Sequence, residues 1–226
     1  MTYKNIKEGI FLSRPNRFIA EVEIDGEVKV CHVKNTGRCR ELLIKGVRVL
    51  LDRSDNPNRR TEYDLVAVYK GDMLINIDSQ APNAVFGEWL KEGGFGDVKL
   101  IKPECFYKNS RFDFYLETED KRIFIEVKGV TLEEDGVAMF PDAPTERGVK
   151  HLTELSEAVK DGCEAYVYFV VQMNECRYFT PNKKMHPEFA ETLKMASDNG
   201  VNVRAVKCKV TEDGLKINGD VDAVIQ

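Results

Sequence analysis

The chain has 226 residues, 42% of them hydrophobic and 31% charged, the make-up of a globular protein able to bury an ordinary core. No apolar run approaches the roughly 20 residues of a membrane helix, and the opening MTYKNIKEGIFLSRPNRF lacks the apolar centre of a signal peptide, so a cytoplasmic protein with no membrane partner is expected. A net charge of −5 excludes strong non-specific nucleic-acid binding by the whole surface.

The charge is uneven. Residues 1–82 hold 14 basic against 12 acidic side chains, and the rest hold 19 against 26. A polyanion would meet the first part, while acids in the second could hold cations. The six cysteines (31, 39, 105, 163, 176 and 208) include no CxxC pair, and Cys31, His32 and Cys39 form the only near cluster. That falls short of the four ligands of a structural zinc site. Buried thiols are the expectation.

In chain order, residues 10–78 read as strands and turns. RFIAEVEIDGEVKVCHV is two runs around Asp25-Gly26, a hairpin signal. GVRVLLD and YDLVAVYKGDMLINID, with its Lys70-Gly71-Asp72 turn, add three more. About five short strands with little helix predict a small OB-like β-barrel, with a sandwich as the other solution. SQAPNAVFGEWLKEGGFG changes character: Asn83 is placed to cap a helix carrying Val85, Phe86, Trp89 and Leu90, which Gly93-Gly94 ends. RFDFYLE and RIFIEVKGVTL follow as strands joined by TEDK. A helix starting near Thr145 has its apolar stripe at Val149, Leu152, Leu155 and Val159 and closes at Gly162. EAYVYFVVQM reads as a strand covered on both faces, Pro187 opens another helix, and VNVRAVKCKV is a further strand. This is an α/β pattern, and without a low-complexity linker the two parts should pack closely.

KRIFIEVKGVTL carries two charges that a buried strand should lack, Glu126 and Lys128. Unpaired buried ions cost several kcal/mol or more, so such groups must be paired, neutralised or bound to metal. If the two strands pair around TEDK, Asp113 falls near the same end. Two carboxylates that close repel unless a cation lies between them, and a few carboxylates plus water suit Mg²⁺. The lysine could orient an attacking water or stabilise charge on a scissile phosphate. Asp followed by Glu-x-Lys on the next strand is the layout of metal-dependent phosphodiester hydrolysis; a solvent-facing Glu126–Lys128 pair is the other reading.

NTGRCRELL, SRFDFYL, EVKGVTL, FPDAPTERGVKHLTEL and FVVQ, in that order, closely resemble the sugar fermentation stimulation protein (SfsA) family, from about Arg17 to past Val203. The resemblance implies an OB-like β-barrel over 1–82 followed by a PD-(D/E)xK nuclease-like α/β domain over 83–226. It further implies DNA binding, more than RNA, and a link to regulation of sugar metabolism. Asp113, Glu126 and Lys128 match the motif's catalytic positions, with Phe112 standing where the motif has proline. Mg²⁺ (or Mn²⁺) would be held by Asp113 and Glu126, with Glu104 or Glu88 as a candidate third ligand.

On the following helix Arg147 or Lys150 could reach a phosphate, while His151 is either a further contact or a satisfied half-buried histidine. Gln172 is placed to position water or a base, or simply ends its strand. In the first part Lys34, Arg38 and Arg40 surround Thr36-Gly37, a turn suited to phosphate; Arg59 and Arg60 are expected on a loop, as a further contact or a solvated basic turn. A magnesium-dependent nuclease is the leading expectation and a non-catalytic DNA-binding regulator the alternative. A sugar-processing enzyme finds no support, since neither a phosphate-binding GxxxxGK[ST] loop nor a dinucleotide fingerprint is present.

Overall fold

The computed structural model describes residues 1–35 and 37–225. Six strands come first: β1 (Ile6–Asn16), β2 (Ile19–Ile24), β3 (Glu27–Val33), β4 (Arg48–Arg53), β5 (Tyr63–Lys70) and β6 (Met73–Asn76). Asp25 and Gly26 both take positive φ (52° and 81°), the conformation a two-residue hairpin loop between right-twisted strands requires. The strands run in the order β3-β2-β1-β4-β5-β6, and β3 pairs back in parallel onto β5, Cys31 opposite Tyr63 through Val33 opposite Leu65. That pairing closes β1–β5 into an OB-like barrel filled by Phe11, Ala20, Val22, Cys31, Val49, Leu51 and Leu65. Closure removes the free sheet edges that so short a meander would expose.

The chain then forms α1 (Ala81–Lys91), β7 (Leu100–Tyr107), β8 (Ser110–Glu117), β9 (Arg122–Val130), β10 (Leu132–Glu134), β11 (Val137–Phe140) and α2 (Glu146–Lys160). It ends with β12 (Glu164–Val171), β13 (Tyr178–Pro181), α3 (Pro187–Asp198), β14 (Asn202–Thr211) and β15 (Gly214–Val221). The main sheet has the order β15-β14-β12-β9-β8-β7, with β9, β12 and β14 parallel and antiparallel strands at both edges. A small sheet, β10-β11-β13, stands beside it.

Central β12 is covered on both faces, as its continuous apolar run predicts. Ala165, Val167 and Phe169 join the core with Leu152, Leu155, Phe189 and Leu193 of α2 and α3, whereas Tyr168 and Val170 pack with Phe86 of α1. Thr145 caps α2, its Oγ1 accepting from the Gly148 N–H at 3.1 Å, and Gly162 follows its end at φ 80°.

Two expectations change. Asn83 does not cap α1: the helix begins at Ala81 with Gln80 at the cap position and Pro82 in its first turn. The strand β1, the edge strands β7 and β15 and the small sheet were not anticipated, because their runs have mixed polarity and depend on neighbours for pairing. The two parts pack closely. Tyr3 donates its N–H to the Asp213 carbonyl (2.7 Å), and Asn76 donates to Gln172 O (3.0 Å). Among the described residues no helix is long and apolar enough to cross a membrane.

Candidate active site at the ends of β8 and β9

The β8–β9 ladder runs from Glu117 opposite Arg122 to Phe114 opposite Ile125 and stops there. At Asp113 the strand's alternation breaks: Phe114 packs on Phe86 of α1, yet Phe112 packs on His151 of α2 on the other face. The side chain of Asp113 takes over the ladder's next bond. Its Oδ2 accepts from the Val127 N–H at 2.7 Å, and its Oδ1 accepts from Asn83 Nδ2 at 2.7 Å. Asn83, expected as a helix cap, instead holds this carboxylate.

Glu126 is buried at 3% exposure. Its Oε1 accepts from Lys128 Nζ and from His151 Nδ1, the latter at 2.5 Å. His151 Nε2 accepts in turn from Arg147 Nε at 3.3 Å, so the tautomer is set: Nδ1 carries the proton that Glu126 receives as a hydrogen bond. His151 is thus buried and satisfied, and also part of the site. The second oxygen, Glu126 Oε2, is buried with no hydrogen-bond partner among the described residues.

Burial pushes the Asp113 carboxyl up to about 6, and the charge of Glu126 adds to the shift; the Val127 N–H bond and Lys128 only partly offset it. Burial pushes Glu126 upward as well, but the Lys128 charge and the His151 hydrogen bond outweigh it and hold that carboxyl below its ordinary range. Lys128 and His151 thus hold one acid ionised, while burial and that acid's charge make its neighbour resist ionisation. An orphaned buried oxygen beside a carboxylate of raised proton affinity fits a hard divalent ion.

The other predicted residues fall elsewhere. Glu104 sits in left-handed backbone (φ 54°) with an exposed side chain that reaches Arg111 at 3.4 Å and makes no hydrogen bond with either acid. Glu88 pairs with the Met1 ammonium. Lys34, expected at a phosphate, is bound at 2.7 Å to fully buried Asp78, which also accepts from the Tyr3 hydroxyl. Lys150 Nζ donates to the Asn109 carbonyl at 2.8 Å. Arg59 is committed to Asp64. Arg38 and Arg40 are exposed on the barrel, and Thr36 lies outside the described residues.

Gln172, buried at 2%, donates Nε2 to Asn76 Oδ1 (2.9 Å) and the Asp78 carbonyl (3.0 Å), bolting the end of β12 to the barrel. Asn83 and the Asp78 network were invisible in the sequence, since nothing near them names their partners.

A closed OB-like barrel docked on an α/β domain defines the class of protein. The first unit matches the SfsA N-terminal OB domain over residues 12–77, and the second matches the sugar fermentation stimulation protein RE domain over 80–214. The chain belongs to the sugar fermentation stimulation protein (SfsA) family. It is 62% identical over 216 residues to a sugar fermentation stimulation protein homolog of Desulfitobacterium hafniense, covering 96% of this chain and 95% of that one. A homolog of Clostridium beijerinckii is 58% identical over 226 residues, 100% of both chains. The solved structure of Pyrococcus furiosus SfsA in complex with Ca²⁺ superposes with a TM-score of 0.90 at 29% identity, covering 100% of this chain and 98% of the other.

Proposed function

We propose that the protein is a divalent-metal-dependent phosphodiesterase acting on nucleic acid, DNA in preference to RNA, in the cytoplasm. The observation that carries the reading is the buried, partnerless Glu126 Oε2 beside Asp113, whose carboxyl burial lifts to about 6. The Ca²⁺ of the archaeal relative supports a site for a hard cation, and Mg²⁺ demands the same oxygen ligands in tighter geometry. Asp113 and Glu126 are the residues to hold it. When bound, such an ion polarises the phosphate and lowers the pKa of a bound water.

The chain's own groups do the rest. Asn83 and the Val127 N–H orient Asp113, and His151, itself held by Arg147, orients Glu126. Lys128 lies 15% exposed at the site's mouth, where its ammonium can stabilise charge growing on a phosphoryl oxygen.

The test is cleavage of labelled DNA and RNA by the purified protein in Mg²⁺, with Glu126→Ala as control. Cleavage by the parent and none by the variant is expected. Binding without turnover and without Mg²⁺ affinity would instead make the protein a non-catalytic DNA-binding regulator. Persistent cleavage by the variant would assign the activity to a contaminant.

A further inference from the structure

We propose, resting on the nuclease reading above, that the substrate is a single strand. Its path runs from an arginine cluster on the barrel, over Gly37, through the cleft between the two units to Asp113 and Glu126.

The path begins in a recess of about 290 Å³ lined by Arg14, Asn16, Arg17, Gly37, Arg38, Arg40 and Leu43, with no acid among them. Arg14 is structural: its guanidinium donates to the carbonyls of Arg17 (2.8 Å), Asn35 (2.7 Å) and Arg38 (2.7 Å) and shapes the rim. Arg17, Arg38 and Arg40 are exposed and form no ion pair among the described residues. Like charges gathered without a carboxylate repel one another, and a polyanion relieves that repulsion. Phe18, 47% exposed, stands beside them with the Arg17 guanidinium 5.2 Å from its ring centroid, a surface on which a base can stack.

Gly37 also lines a second hollow, of about 340 Å³, walled by Asn35 and Ser79 on one side and by Gly129, Thr131, Asp142 and Gln172 on the other. Gly37 is thus common to the lining of both hollows. A Cβ there would lie 2.6 Å from Asp142 Oδ2, so a larger residue would displace that carboxylate. The inner end of the cleft lies against the first turn of α1. A Cβ on Gly129 would fall 2.5 Å from Gln172 Oε1 and 2.7 Å from Pro82 Cγ, and Pro82 directly precedes Asn83, which holds Asp113.

The cleft's chemistry favours a base over a phosphate. Gln172 uses both donor bonds of Nε2 on the barrel and leaves Oε1 facing Gly129 without a donor. Asp142 accepts no hydrogen bond among the described residues and adds a second acceptor. Two acceptors suit the N–H groups on a base edge and repel a phosphate. The hollow, of about 340 Å³, has room for one nucleotide, and a base whose edge is read there is unpaired. The order along the path is thus phosphates on the arginines, a base in the cleft, and the next phosphodiester at Glu126.

The experiment measures anisotropy of one labelled sequence, as single strand and as duplex, on the full chain in EDTA. It compares the parent, R38E/R40E and R17E. The parent should bind the single strand at least about tenfold more tightly than the duplex. R38E/R40E should weaken single-strand binding at least about tenfold and flatten the log–log salt slope by about 1.4, the loss of two phosphate contacts. These arginines are exposed, melting temperatures check folding, and R17E is an independent reading of the same path.

Duplex bound as tightly as single strand, or unchanged affinity in both variants, would overturn the proposal. Hydrolysis of bis(p-nitrophenyl) phosphate by the parent in Mg²⁺ isolates the nuclease reading, because that ester needs no track. Failure there removes catalysis while the EDTA binding data still judge the path.

Discussion

Asp113→Asn should make the metal-free protein more stable while disabling it. The substitution leaves the geometry nearly unchanged: an amide oxygen can still accept from the Val127 N–H, and the Asn83 amide can turn to offer its oxygen to the new NH₂. What disappears is a carboxylate whose proton affinity is raised by burial and by Glu126, from the ordinary 3.8 to about 6. Folding therefore favours its protonated form. The penalty is fully present above about pH 6 and is gone below 3.8.

A shift of that size corresponds to roughly 3 kcal/mol, and partial exposure of the side chain brings it nearer about 1–2 kcal/mol. For a chain of this length that is a gain of roughly 2–8 °C in melting temperature. The assay is thermal unfolding of parent and variant in EDTA, from about pH 8 down to about pH 4. The variant should melt higher at the alkaline end, with its advantage shrinking through pH 6. Adding Mg²⁺ should raise the parent alone. A variant that melts no higher than the parent at alkaline pH, or a gain that ignores pH, would refute the reasoning.

Lys34→Met should lower stability by about 3–5 kcal/mol, since it strands fully buried Asp78, and Lys34→Met with Asp78→Asn should recover much of that loss in urea titrations. Gly129→Ala should destabilise by about 1–3 kcal/mol through a Cβ 2.5 Å from Gln172 Oε1 and 2.7 Å from Pro82 Cγ, read as a lower melting temperature. Thr145→Ala removes the cap of α2 and should cost about 1 kcal/mol, with Thr145→Ser restoring it in the same melts.

Much of the architecture was legible because its signals are local. Asp25-Gly26 marked the hairpin, Thr145 and Gly162 bounded α2, and the unbroken apolar run of β12 announced a strand with cover on both faces. The acid–acid–lysine trio was legible for the same reason: a short turn forces β8 and β9 to pair, so counting outward from TEDK brings Asp113 to Glu126. The residues that tune the trio were not legible. His151 lies 25 positions from Glu126, and Asn83 lies 30 from Asp113. The pairing of Lys34 with Asp78, 44 positions away, gives no local sign either.

From the amino-acid order alone come the periodicities, the turns, the helix limits and the presence of charge inside an apolar strand, since each rests on contacts within a few residues. Only the folded chain decides that β3 closes onto β5, that Gln172 bolts the sheet to the barrel, and that Glu126 keeps one oxygen without a partner. Those features depend on which distant segments meet. Hydrophobic burial drives such meetings without naming partners, and hydrogen bonding selects among them only once the chain is compact.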